Sequence, residues 1–137
     1  MAEVQLRNIS KKWGDFVGVA DFDLTIADRE FLVLLGPSGC GKTTTMRMIA
    51  GLEEASGGDI LIDGKRVNEL DPKDRDVAMV FQSYALYPHK SVQANIEFPL
   101  KVRGVAKAER AEAAKQAAEV LGLTPYLERR PGALSGG

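Results

Sequence analysis

The sequence has little of several features that would point to particular functions. It has one cysteine and one histidine, so it can form no intramolecular disulfide and contains no histidine-rich metal site. Basic and acidic residues number 18 and 19, which gives no indication of a general nucleic-acid binder. No apolar run is long enough to cross a bilayer, and no charged-then-apolar signal opens the chain. We expect a soluble chain from a reducing compartment that touches a membrane only through a partner.

The stretch from Gly36 to Thr43 fits the phosphate-binding loop, in which two glycines with four residues between them precede a lysine and a hydroxyl residue. The apolar run 31–35 before it predicts a buried parallel strand, and 44–50 after it predicts a helix that stops at Gly51. Strand, loop and helix are the context that this motif requires. A plain glycine-rich turn would not demand Lys and Thr at these two positions.

Each residue type in this loop has a physical role toward an anion. Glycines permit positive φ and bring N–H groups close to phosphate oxygens, and the start of the following helix favours negative charge. Lys42 adds a positive charge that can reach the β- and γ-phosphates. The hydroxyl of Thr43 is a hard oxygen ligand suited to Mg²⁺. Cys40 is interpreted as a small residue that fits the loop, without a redox role.

Antiparallel strands are predicted on either side of this motif. Alternating apolar and polar residues favour strands within 3–30, and Asp63-Gly64 between 59–62 and 65–67 predicts a hairpin.

The only tryptophan, Trp13, lies in the loop-like segment 12–16. A lone tryptophan belongs more often to a core than to a binding site. Because Lys11, Lys12 and Gly14 flank this one, its position suits stacking on a flat ring better than burial.

A second wholly apolar run, 77–81, predicts another buried strand and ends on Gln82. Ligands of open parallel sheets lie beyond the carboxyl ends of the strands, so this amide can reach Mg²⁺ or a water near the γ-phosphate. A solvated strand end is the ordinary interpretation, and the phosphate loop shifts the balance toward function.

The loop 83–90 concentrates aromatic and apolar side chains, which predicts either a local core plug or a contact patch for another protein. His89 is interpreted as a loop residue near an interface and not as a catalyst. After this loop, Ser91 is a predicted N-cap, and Pro99 is predicted to end or bend the helix that Ser91 begins. A second helix is predicted over 107–121. Its predicted apolar face consists of Ala106, Ala113, Ala117, Val120 and Leu121.

The chain closes on Leu134-Ser135-Gly136-Gly137. A phosphate loop, a glutamine after the next apolar run and a later Leu-Ser-Gly-Gly resemble, in this order, the ATP-binding subunits of ABC transporters. With Trp13 and the loop 84–89, they are most similar to the bacterial carbohydrate-importer branch, which includes maltose, multiple-sugar and glycerol-3-phosphate transporters. The resemblance implies an α/β P-loop nucleoside triphosphate hydrolase fold of the ABC type. Its implied parts are antiparallel β segments at 1–30 and 58–70, a P-loop core at 31–57 and 71–82, and a Q-loop with the helical subdomain at 83–137.

The resemblance also implies roles for individual residues. Trp13 would stack on adenine, Lys42 and Gln82 would act in catalysis, and Thr43 and Gln82 would hold Mg²⁺. Ser135, Gly136 and Gly137 would bind the γ-phosphate of ATP held by an opposite subunit. The residues implied to bind ATP are Trp13, Gly36, Pro37, Ser38, Gly39, Cys40, Gly41, Lys42, Thr43 and Thr44.

The implied function is ATP hydrolysis coupled to import of a sugar or glycerol phosphate, with ATP and Mg²⁺ as cofactors. The implied partners are membrane permease subunits at the loop 83–90, a second ATP-binding subunit in a head-to-tail dimer and, indirectly, a solute-binding protein outside the membrane. No nucleic acid is expected, and the expected location is the cytoplasmic face of a bacterial cell membrane.

Leu134 to Gly137 match the start of the family's signature motif, and the chain departs from the family pattern there, because the sequence ends inside this motif. The family's Mg²⁺-linked aspartate, catalytic glutamate and switch histidine, and its usual regulatory domain, have no counterpart in the sequence. We expect an amino-terminal fragment that binds nucleotide, does not hydrolyse it and associates through unpaired apolar edges. Two alternatives stay open: a non-catalytic nucleotide-binding or interaction module, and a soluble ABC ATPase that works on ribosomes or DNA.

Overall fold

A computed structural model describes residues 2–82 and 84–135, which form two compact units, one up to Met79 and the other from Val80. The first unit contains an antiparallel sheet in the order β2-β1-β3-β4. Its strands are β1 (Val4–Trp13), β2 (Phe16–Ile26), β3 (Gly57–Ile62) and β4 (Lys65–Arg66).

Two tight hairpins set the register of this sheet. Strands β1 and β2 pair up to the turn, where Trp13, the last residue of β1, lies opposite Phe16, the first residue of β2. The turn between them has two residues, and the first, Gly14, has φ 56°. The β3–β4 turn has positive φ at both Asp63 and Gly64, 49° and 72°, as a type I′ turn requires. The predicted antiparallel strands and the Asp63-Gly64 hairpin are therefore confirmed.

Helix α1 (Lys42–Ile49) packs on this sheet. Its Met48 has no exposed surface and lies within the core, while Thr45 is also buried. The core of the first unit consists of Leu6, Ile9, Val19, Met48, Ile60 and Val67. Met48 shares this cluster with residues of β1, β2 and β3, so its burial joins the helix to the sheet.

The carboxyl end of α1 is held by Arg75, which follows a 3-10 turn at Pro72–Asp74 and is 5% exposed. One guanidinium nitrogen donates to the carbonyls of Met48 and Ile49 at 2.7 and 3.1 Å. The other two donate to Asn68 and Leu70 at 3.1 and 3.0 Å. Burial lowers the pKa of Arg75, but an arginine starts so far above neutrality that it keeps its charge. A cation at this end also complements the helix dipole.

The two apolar runs predicted as buried parallel strands, 31–35 and 77–81, form no strand. Phe31, Leu35 and Val80 are 90%, 87% and 90% exposed. A strand needs a neighbour to complete its hydrogen-bond ladder, and the described residues supply none beside either run. The strand predictions are wrong for the described structure. An apolar run indicates a preference for strand conformation, but it does not show that a neighbouring strand is present to pair with it.

The second unit is helical, with α2 (Val92–Val102) and α3 (Lys107–Val120) packed on each other. The Ala94 N–H donates to Ser91 Oγ at 3.2 Å, which confirms the predicted N-cap. The helix does not end at Pro99 but continues to Val102. Short 3-10 turns follow at Thr124–Tyr126 and Pro131–Ala133. None of the described helices has the length and apolar character of a membrane span.

The predicted apolar face of α3 is wrong. Ala114 and Ala118 have no exposed surface, whereas Ala113 and Ala117 face solvent and Val120 is 85% exposed. Alanines occur all around this helix, so the contact with α2 selects the buried side.

We expect Arg75→Met to lower the free energy of unfolding by about 2–4 kcal/mol, because it leaves buried carbonyls without donors. Urea unfolding followed by circular dichroism measures the change. The matched control is Arg66→Met, because Arg66 is exposed and forms surface ion pairs with Asp59 and Glu69, which contribute little. Equal effects of the two substitutions would contradict this role of Arg75.

Candidate nucleotide-binding site

The start of α1 is open toward solvent on its amide side. The N-cap residue is Gly41, with φ 90° and ψ −1°, and no described side chain caps the helix. Its carbonyl accepts the first helical hydrogen bond from Thr45 N–H at 2.8 Å. The amides of the first turn have no partner inside the helix, so they are available to an anion.

The phosphate loop reaches α1 by passing close to strand β2. A Cβ built on Gly41 would lie 2.9 Å from the carbonyl oxygen of Gly18 and 2.9 Å from a methyl group of Val19. At Gly39, whose φ is 84°, an added Cβ would meet nothing within 4 Å. Gly41 is therefore required by packing and backbone conformation together, and Gly39 by conformation alone.

Lys42 folds back over its own loop. Its Nζ donates to the carbonyls of Gly36 and Pro37, both at 2.7 Å, and to Cys40 Sγ at 3.4 Å. The ammonium group is thus held among neutral acceptors at the mouth of the loop. A phosphate oxygen placed there would be a stronger acceptor, because a hydrogen bond between two ionised groups exceeds one to a neutral acceptor.

A cavity of about 510 Å³ lies between the phosphate loop and the β1–β2 hairpin, within the size range of ligand pockets. Its lining consists of Trp13, Phe16, Gly18, Ser38, Gly39, Gly41, Lys42, Thr43 and Thr44. The structure therefore brings together seven of the predicted ATP-binding residues around one cavity, with Trp13 on the hairpin and the other six on the phosphate loop and the start of α1. Gly36 and Pro37 instead hold Lys42, and Cys40 lines a smaller neighbouring cavity of about 260 Å³.

Trp13 is a surface residue and not a core residue, with 44% of its area exposed. Its ring stacks beside Phe16, with centroids 6.1 Å apart and an angle of 26° between the planes. On Gly18 an added Cβ would lie only 2.4 Å from the indole ring, so the ring rests directly on the backbone of β2. Sequence reasoning missed Phe16 and Gly18. The hairpin signal could have found Phe16, because a two-residue turn pairs it with Trp13.

The remaining predicted site residues lie in the second unit. Gln82 is exposed in a turn, and Ser135 is exposed near the end of the chain. Gly136 and Gly137, like Ser83, lie outside the described residues. The roles predicted for Gln82 and for the signature residues stay predictions.

The loop 84–90 presents its apolar side chains to solvent instead of forming a core plug. Tyr84 and Leu86 are 61% and 51% exposed. Asn95 of α2 fixes the loop by accepting from the Tyr87 N–H at 2.8 Å and donating to the Tyr87 carbonyl at 3.1 Å. The Lys90 ammonium covers the Tyr87 ring, 4.7 Å from its centroid. The result is a fixed loop with an exposed apolar surface.

Known proteins are similar to this chain in both sequence and fold. The profile of the family described as "ABC transporter" matches residues 19–137. The chain is 57% identical over 137 residues to the sn-glycerol-3-phosphate import ATP-binding protein UgpC 1 of Rhizobium johnstonii, and 57% identical over 138 residues to the oligosaccharides import ATP-binding protein MsmX of Bacillus subtilis. Both matches cover 100% of the chain but only 37% and 38% of those proteins.

A solved structure of the ATP-binding cassette MJ0796, a dimer in a post-hydrolysis state with ADP and Pi, superimposes with a TM-score of 0.86 at 30% identity. The superposition covers 97% of this chain and 63% of the MJ0796 chain. The chain belongs to the ABC transporter family, and the predicted α/β fold of the ABC cassette type is confirmed.

We expect Gly41→Ala to lower the free energy of unfolding by about 2–4 kcal/mol, since it adds a clash with Gly18 and Val19 to the cost of left-handed backbone. Gly39→Ala, the matched control, should cost only the conformational part, about 1 kcal/mol. Denaturant unfolding of both variants without nucleotide gives the comparison. A loss at Gly41 no larger than at Gly39 would contradict the close approach of loop and strand.

Proposed function

We propose that this chain is the nucleotide-binding part of an ABC importer subunit and that it binds ATP with Mg²⁺ in the cavity of about 510 Å³. The observation that carries the proposal is the meeting of Trp13, Lys42 and Thr43 around one cavity at the open start of α1. The two ends of that cavity differ in chemistry, as the two ends of a nucleotide do.

The loop end suits a triphosphate. First-turn amides, the helix dipole and the Lys42 ammonium all favour negative charge at the same place. No carboxylate occurs among the described residues that line the cavity, so nothing there repels the phosphates. Lys42 would exchange its contacts with Gly36 and Pro37 for contacts with the β- and γ-phosphates.

The hairpin end suits a flat base. Trp13 offers a half-exposed indole, and its neighbour Phe16 is 65% exposed. Stacking of a base on an aromatic side chain contributes about 1–3 kcal/mol without selecting among bases. Adenine is the base that membership in the family supports.

Thr43 would be the residue of the loop that holds Mg²⁺. Its hydroxyl lines the cavity and is a hard oxygen ligand. The described residues contain no cluster of three or more His, Cys, Asp or Glu side chains. Mg²⁺ commonly binds through few protein groups together with phosphates and water, so the loop fits a metal that arrives with the nucleotide.

We further propose that the whole protein couples ATP hydrolysis to import of a sugar or glycerol phosphate at the cytoplasmic face of a bacterial membrane. The names of the relatives UgpC and MsmX, which refer to glycerol-3-phosphate and oligosaccharide import, support this class of solute. The exposed apolar loop 84–90 supports contact with a permease. Lys42 and Gln82 would act in catalysis, Gln82 by reporting the γ-phosphate, and Ser135, Gly136 and Gly137 would meet the ATP of a second, head-to-tail subunit.

The chain of 137 residues by itself would bind nucleotide without hydrolysing it. Nucleotide binding without hydrolysis is thus a second candidate function. The absence of a carboxylate from the described cavity lining favours it, because ATP hydrolysis needs a group that orients or polarises water.

We expect Lys42→Ala to weaken ATP binding by about tenfold or more, since a hydrogen bond to a charged group contributes about 1.5–3 kcal/mol. Isothermal titration with Mg²⁺-ATP measures the affinity, and circular dichroism checks the fold. Lys65→Ala is the control, because Lys65 is an exposed residue of β4 outside the cavity. Unchanged affinity in folded Lys42→Ala protein would refute the site.

We expect no steady release of phosphate from ATP by this chain, measured with a coupled assay under conditions where titration shows the nucleotide bound. A full-length relative of the family, assayed in parallel, is the positive control. Sustained turnover that Lys42→Ala abolishes would overturn the proposal of binding without hydrolysis.

A further inference from the structure

Two charged side chains outside the cavity, Lys11 and Glu53, form a support for the Trp13 indole. Lys11, two residues before Trp13 on β1, is 9% exposed. Its ammonium lies 2.7 Å from Glu53 Oε1, donates to the Glu54 carbonyl at 2.7 Å and sits 5.3 Å from the centre of the Trp13 ring. Lys11 therefore joins the indole to the turn that follows α1.

Glu53 is the anionic centre of this support, with 21% of its side chain exposed. The hydrogen bond from Lys11 lowers the pKa of Glu53, burial opposes that effect, and the charges of Lys11 and Arg47 lower it further. The Trp13 side chain adds a smaller lowering effect on the same pKa. One carboxylate thus pairs with a strand lysine and an arginine of α1, and that lysine also contacts the indole.

The indole is confined from a second direction by β2. The absence of a side chain at Gly18 lets the ring lie against the strand, since even a Cβ there would come within 2.4 Å of it. Trp13 thus contacts the Lys11 ammonium and the backbone of Gly18, while 44% of its surface stays open.

We propose that Lys11 and Glu53 are positioning residues that hold the Trp13 indole as a platform for the base of the nucleotide. The proposal rests on the proposed function, in which this cavity binds ATP. Neither residue lines the cavity. Lys11 is 9% exposed and is already paired with the Glu53 carboxylate, so we expect no contact between its ammonium and the phosphates. Both residues act through Trp13.

If Lys11 and Glu53 position the indole, they affect the part of the binding free energy that comes from base stacking and not the part that comes from phosphate contacts. The loop contacts concern phosphate alone, and a ligand that has phosphates but no base tests them by itself. Inorganic tripolyphosphate is such a ligand. A positioning role at Trp13 predicts weaker binding of ATP and unchanged binding of tripolyphosphate, whereas general damage to the fold would weaken both.

The test is titration of Mg²⁺-ATP and Mg²⁺-tripolyphosphate into wild-type, Glu53→Gln, Lys11→Met, Trp13→Ala and Lys65→Ala protein. We expect Glu53→Gln and Lys11→Met to weaken ATP binding by about fivefold, a part of the stacking contribution, and to leave tripolyphosphate binding within about twofold. Lys65→Ala should change neither. Trp13 emission of the free protein should shift in both positioning variants.

A double-mutant cycle tests whether the two residues act through the indole. In the Trp13→Ala background, Glu53→Gln should have no further effect on ATP binding. Glu53→Asp provides a milder second variant that keeps the charge but shortens the reach to Lys11, and it should produce a smaller loss of the same selective kind. It stands in for Lys11→Met and Glu53→Gln if circular dichroism shows that neither folds.

Different results would overturn different claims. Equal losses for ATP and tripolyphosphate, or a full effect of Glu53→Gln without Trp13, would overturn the positioning role while leaving the ATP site intact. Unchanged ATP affinity in Trp13→Ala, with a loss in Lys42→Ala, would refute the base platform itself. Wild-type protein that binds neither ligand would refute the proposed function and this proposal with it.

Discussion

The first unit depends on the fixed position of helix α1. A helix of this length is marginal by itself, so tertiary contacts must hold it. Arg75 binds the carbonyls at its carboxyl end, Met48 near that end is buried in the core, and Gly41 at its start lies close to β2. A buried guanidinium would be costly if its donors were unpaired, and here every nitrogen has a main-chain acceptor. The phosphate loop is the segment that leads into this helix, so its place follows from the same contacts.

The sheet positions the other half of the cavity. Trp13 stands at the tip of a hairpin whose strands also pack against α1, so loop and indole belong to one hydrogen-bonded framework. Glu53 lies just beyond the helix and meets both Lys11 on the sheet and Arg47 on the helix, 3.9 Å away. The distance between the two ends of the cavity is therefore set by rigid elements, which limits the ordering cost of binding an extended ligand.

Local signals predicted the parts of this structure that local chemistry decides. The helix after the phosphate loop, the Asp63-Gly64 turn and the Ser91 cap each depend on residues close in sequence, and each was found. The sequence did not reveal Arg75 or the Lys11–Glu53 pair, because their partners lie far along the chain. The runs 31–35 and 77–81 failed for a related reason: strand formation depends on a neighbour that propensity does not contain. In α3, alanines occur on every side of the helix, so the sequence did not indicate which side is buried. The packing of α3 against α2 decides that side.

The chemistry of the cavity supports the proposal that the chain binds nucleotide without hydrolysing it. The lining that the structure describes contains one cation, hydroxyl groups, exposed amides and aromatic surface, and no carboxylate. Such a set lowers the free energy of bound phosphate, since every charge and dipole in it favours an anion. The same set contains no group that would take a proton from water or polarise it toward phosphorus. The absence of negative charge from this lining favours an anion, and in the proposed function it also leaves the attacking water without a carboxylate. In the proposed function, hydrolysis would require a carboxylate brought to the γ-phosphate from outside the described lining.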